Sequence, residues 1–165
     1  MKTSSQKAQA VLMDFALAVL IFVVAWFFIA TQFQERDAQV RGDADFLEMR
    51  IKADYALDYL ARSPGEPSGW ETLEIGDLNR PGLAISDRRL FEQKLAAFSN
   101  HSADYELLRQ KMNIGRYDFF FEFDGIDNSS AGLAPGGDAT KIVLSRIVEY
   151  KGGEAIAKLT LYELE

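Results

Sequence analysis

Few side chains in this sequence have the types and spacing that chemistry needs. Cysteine is absent and His101 is the single histidine. That excludes disulfides, zinc-thiolate sites and thiolate nucleophiles, and it leaves histidine metal or triad chemistry without a second member. No G-x-S-x-G and no phosphate-binding loop occurs, so an enzyme is not expected. Asp124, Asp127 and Asn128 offer oxygens to Ca²⁺, but their spacing does not follow an EF-hand loop, and neither a metal nor another cofactor is expected. Asn100-His101-Ser102 and Asn128-Ser129-Ser130 are Asn-x-Ser sequons, which makes Asn100 and Asn128 candidate glycosylation sites. The most unusual group is Asp14, one carboxylate inside the 22-residue apolar run Ala10–Thr31. A lone charge in apolar surroundings is costly, so the chemistry to expect of Asp14 is an ion pair with an amine.

The run that carries Asp14 is long enough, at 1.5 Å per residue, to extend about 30 Å, the thickness of a hydrocarbon core. Lys2 and Lys7 precede it, and Glu35, Arg36, Asp37 and Arg41 follow it. The positive-inside rule then places the N-terminus inside and the remainder outside. Trp26, Phe27 and Phe28 fall near the outer end, where aromatic rings suit an interface. The expected localisation is a single-pass membrane protein with its head outside the cell. The run exceeds the apolar stretch of a cleaved secretory signal, and no small-residue cleavage site follows it.

The helical pattern continues past Thr31, with no proline before Pro64. Phe33, Val40, Ala44, Leu47, Ile51 and Tyr55 recur at helical spacing, and Phe46, Ala53, Leu57 and Leu60 form a second row. Glu48 with Lys52, and Asp58 with Arg62, are acid-base pairs four residues apart. Ser63-Pro64-Gly65 is a stop signal, so the helix should end near Arg62.

Turn residues dominate from Ser63 to Leu83, with Thr72–Ile75 as a short expected strand and Trp70 as an expected core plug. Ser86-Asp87 is read as the cap of a helix over 87–98, and Ser102 as the cap of a helix over 103–113. Tyr117, Phe119, Phe121 and Phe123 alternate on one face of an expected strand over 116–123. Two further strands, 140–150 and 154–164, are joined at Lys151-Gly152-Gly153-Glu154, where Gly-Gly suits a tight hairpin. The segment from Asp124 to Ala139 reads as a long polar loop. The expected fold class is α+β: a long N-terminal helix, half apolar and half amphipathic, packed on a C-terminal antiparallel sheet. A net charge of -7 without a basic cluster argues against a nucleic-acid partner.

Lys7-Ala8-Gln9, set directly before the apolar run, resembles the class III signal of archaeal type IV pilins. The segment from Pro64 to Ala84 also resembles a connection in archaeal pilin-like membrane proteins. The resemblance implies that residues 1–8 are a signal peptide removed by a prepilin peptidase. Residues 9–31 then form the transmembrane and filament-core half of the helix, 32–62 its amphipathic half, and 63–165 an extracellular head. Cleavage after Ala8, which the usual pattern favours, makes Asp14 the sixth mature residue; cleavage after Gln9 makes it the fifth, where the wider family commonly carries an acid. The freed α-amino group of one subunit would meet Asp14 of another during assembly. The implied function is a structural, minor-type subunit of an archaeal pilus-like surface filament. Its implied partners are the peptidase, other pilin subunits and membrane lipid. The alternative is a membrane-anchored extracellular binding or accessory protein that does not polymerise.

Overall fold

The computed structural model describes the backbone of residues 3–137 and 139–163, and the side chains of residues 15–29, 44–137 and 139–163. The chain divides into two units, Met1–Asp45 and Phe46–Glu165. Helix α1 runs from Thr3 to Arg62 and contributes to both. In the first unit the described side chains, 15–29, are all exposed. They include Phe15, Leu17, Leu20, Phe22, Val24, Trp26 and Phe27, so this stretch is apolar on every side.

The second unit is built around one sheet. After α1 come two short 3-10 turns, Trp70–Thr72 and Ile75–Asp77, then strands β1 (Ala84–Ser86) and β2 (Arg89–Leu90). Helix α2 (Glu92–Asn100), a 3-10 turn over His101–Asp104 and helix α3 (Tyr105–Met112) follow. The chain closes with β3 (Asp118–Asp124), β4 (Ser129–Gly132), β5 (Thr140–Tyr150) and β6 (Gly153–Glu163). The strand order is β1-β2-β5-β6-β3-β4. Phe119, Phe121 and Phe123 of β3 and Leu159 and Leu161 of β6 are buried on one face. They share a core with Phe98, Trp70 and the α1 residues Met49, Ala53, Ala56, Leu57, Leu60 and Ala61.

Several local expectations meet their physical cause here. α1 stops at Arg62, and Gly65 beyond it takes a positive φ of 84°. Trp70 is fully buried, and its indole N–H donates to the Gly82 carbonyl at 2.8 Å, which is how a buried tryptophan avoids an orphan donor. β5 and β6 pair along their whole length, from Thr140 with Glu163 to Tyr150 with Gly153. The two-residue turn between them uses positive φ at Lys151 (52°) and Gly152 (80°), not at both glycines.

The expected fold class needs correction on three points. The sheet is not antiparallel throughout: β2 runs parallel to β5, with Arg89 opposite Glu149. Glu149 donates its N–H to the Arg88 carbonyl at 2.8 Å, and Arg89 pairs with the Glu149 carboxylate at 3.4 Å. The N-terminal helix is also not one element laid on a sheet; only its portion from Phe46 onward belongs to the unit that contains the sheet. Finally, among the described residues no helix is long and apolar enough to cross a membrane. The expected single-pass localisation with an outside head is withdrawn on that finding.

Smaller corrections have the same kind of cause. Thr72–Ile75 is not a strand but falls between and within the two 3-10 turns. Ser86-Asp87 does not cap a helix: Asp87-Arg88 turns the β1–β2 hairpin, with Arg88 at a φ of 56°, and α2 begins only at Glu92. The Ser102 hydroxyl does not cap α3 but accepts from the Gly132 N–H at 2.9 Å. The polar segment 124–139 contains β4, which pairs with β3 from Phe120–Gly132 to Phe123–Ser129.

Candidate functional site

Side-chain statements about Lys7, Ala8, Gln9 and Asp14 lie outside the described residues. The two other expected sites are visible. Asn100 is exposed at the end of α2, and Asn128 is exposed in the turn between β3 and β4. Asp127, weighed as a cation ligand, is engaged otherwise: it accepts from the Tyr150 hydroxyl at 3.1 Å and from Lys151 at 2.6 Å. Those two hydrogen bonds, from Lys151 first, hold its carboxyl below the usual carboxylate range. Among the described residues no group of three His, Asp or Glu side chains is placed to hold a metal.

The surface that stands out is on α1 within the second unit. Leu47, Ile51 and Tyr55 are 57%, 60% and 58% exposed, whereas Met49, Ala53 and Leu57 are buried. Residues two apart on a helix differ by about 200°, so the two rows occupy opposite sides. The side facing the sheet carries three alanines, Ala53, Ala56 and Ala61. These alanines share the core with the phenylalanine row of β3, whose rings supply the bulk that the alanines do not. The larger Leu47, Ile51 and Tyr55 are left outside. The sequence shows two apolar rows on this helix without deciding which one the domain buries; the alanines at helical spacing, Ala53, Ala56 and Ala61, were the available signal.

The exposed row is held at both flanks. Arg80 lies over the Tyr59 ring at 3.7 Å and the Tyr55 ring at 4.5 Å, and donates to the Tyr55 hydroxyl at 3.0 Å. Such cation–π contacts fix the ring that ends the row. On the other flank Arg146, from β5, donates to Asp58 at 2.8 Å and to Asp54. The Asp58 hydrogen bond is the largest influence raising the Arg146 pKa, ahead of burial, which opposes it. Leu47, Arg50, Ile51, Asp54, Tyr55 and Asp58 border a shallow groove along this side. A rigid apolar strip edged by fixed charges can pack against another apolar surface in a set register.

No protein-family model, no curated protein and no solved structure matches the chain.

Proposed function

We propose that the chain is a structural subunit, of minor type, of an archaeal type IV pilus-like filament, assembled through α1. The observation that carries the reading is the exposed row Leu47, Ile51 and Tyr55 on a helix whose opposite side is already buried. A helix needs only one apolar side to join its own domain, so a second one calls for another surface. Two further features support the reading: the exposed all-round apolar stretch 15–29, and Lys7-Ala8-Gln9 directly before the apolar run. The partners in this reading are a prepilin peptidase, which exposes a new amine near Asp14, and other subunits. The role is non-enzymatic, and the acidic balance of the chain disfavours nucleic acid.

The test is N-terminal sequencing of the full chain isolated from its own cells, with sedimentation of the same sample. A mature start at Gln9 in rapidly sedimenting material is the expected result. A chain that begins at Met1 and sediments as a monomer would overturn the proposal.

A further inference from the structure

We propose, resting on the filament reading above for access to the glycosylating enzyme, that Asn128, and not Asn100, is an N-glycosylation site, and that its glycan lies along the outer face of the sheet. Both asparagines sit in sequons and both are exposed, so exposure does not separate them; the state of the rest of each sequon does. Asn100 closes α2 with helical backbone angles, φ -66° and ψ -39°, and His101 continues in the helical region. The Ser102 hydroxyl, the group a glycosyl-transferring enzyme must read two residues on, already accepts from Gly132 across a 30-residue separation. Asn128 sits in non-helical backbone before β4. Its Oδ1 accepts from the Gly125 N–H at 3.3 Å. Of the two ends of a carboxamide only the oxygen accepts from an N–H, so this bond orients the amide and leaves Nδ2 directed away from Gly125. Ser130 is exposed, opposite Glu122 on the sheet's outer face.

The same sequon borders a groove. Asn128 and Ser130 line a shallow depression of about 740 Å³ together with Phe120, Glu122, Ile156 and Lys158. That volume is within the range of small-molecule sites. Phe120 is half-buried and Ile156 is 45% exposed, so apolar surface lies open beside polar groups; Lys158 and Glu122 pair at 2.6 Å. A sugar ring has a C–H face that stacks on an aromatic ring and hydroxyls that bond to an ammonium or a carboxylate. A chain of sugars rooted at Asn128 is therefore suited to both kinds of surface in this groove.

The modification needs an activated sugar, of the class in which an oligosaccharide is joined through its anomeric carbon to a polyprenyl phosphate or diphosphate. Asn128 Nδ2 forms a bond to that carbon. The carbon–oxygen bond to the lipid phosphate breaks, its electron pair leaves with the phosphate, and one amide proton is released to a base.

The experiment uses the full chain isolated from its own cells. Trypsin cutting at Lys94, Arg109, Arg116 and Lys141 places the two sequons on separate peptides, and mass spectrometry reads each. The expected result is added sugar mass on the Asn128 peptide alone, lost in Asn128→Gln and in Ser130→Ala and kept in Ser129→Ala and Asn100→Gln. An unmodified Asn128 peptide, or sugar on Asn100, overturns the site. Hydroxyl-radical labelling then reads the placement. Phe120 and Ile156 should be shielded in the glycosylated chain and labelled in Asn128→Gln, while the exposed Ile85, on β1 at the other end of the sheet, is labelled equally in both. Equal labelling of Phe120 and Ile156 in the two chains overturns the placement.

Discussion

Lys94 and Glu71 meet at 2.7 Å inside the second unit, and the ammonium completes its set of acceptors on the carbonyls of Pro64 and Ser68. The Lys94 side chain is 3% exposed. All three of its donors are therefore used by the segment that follows α1, so one α2 side chain ties the helix to three positions of that segment. Removing one partner of a buried pair leaves the other uncompensated. Lys94→Met should cost about 3–5 kcal/mol, read as a lower urea midpoint with the slope unchanged. A loss under about 1 kcal/mol, the usual worth of an exposed pair, would contradict this assignment.

Glu71 gives the same contact a pH dependence. Burial alone would raise its carboxyl, but the Lys94 hydrogen bond, a backbone hydrogen bond and the Lys94 charge together bring it below its ordinary value. A carboxyl lowered in the folded state contributes stability above its unfolded value, and that contribution is lost as pH falls through the folded value. Glu71→Gln should be less stable than the parent at neutral pH, and the difference should shrink as the pH falls below the ordinary glutamate range. Chemical denaturation of both proteins across that range measures it; a constant difference would contradict the linkage.

Gly82 sits against the turn after α1, and a Cβ there would collide with the Gly65 nitrogen and the Ser63 carbonyl oxygen. Both are backbone atoms and neither can rotate away. Gly82→Ala should lower stability by about 3 kcal/mol or more. The Trp70 bond to the Gly82 carbonyl would be disturbed with it, so the near-ultraviolet tryptophan signal should change as well. Gly69 has open space at the same position, and Gly69→Ala should leave both readouts almost unchanged.

The exposed row of α1 is open to a cross-linking test because the chain has no cysteine of its own. A single Ile51→Cys should form a bridge between copies in assembled material when a short bifunctional thiol reagent is added. Glu74→Cys, exposed away from that row, should not. Electrophoresis under denaturing conditions reads the result, and equal yields from the two positions would contradict the proposed packing.

Legibility from sequence followed the range of the interactions involved. Ser63-Pro64-Gly65 ended α1 through local backbone chemistry, and the alternation of Phe119, Phe121 and Phe123 marked a strand with one buried face. Both signals act within a few residues. The parallel bridge from Arg89 to Glu149 joins positions far apart in the chain, and two residues of strand leave no period to detect. β4 was hidden for a related reason: Ser129–Gly132 has little strand propensity of its own and is held by pairing with β3. The expected processing residues Lys7, Ala8 and Gln9 and the acidic Asp14 were legible as motif alone. The row Leu47, Ile51 and Tyr55 was legible as apolar but not as exposed, because a helix with two apolar rows does not announce which one its own domain will bury.

That division of α1 into two sides has a consequence for how the protein tolerates change. Substitutions at Ala53, Ala56 and Leu57 act on folding, since these side chains are buried. Substitutions at Leu47 and Ile51 leave the fold's interior untouched and register only in what the helix joins. Folding and association are thus separable traits written on one cylinder, so a lineage can retune its neighbours without renegotiating its own interior.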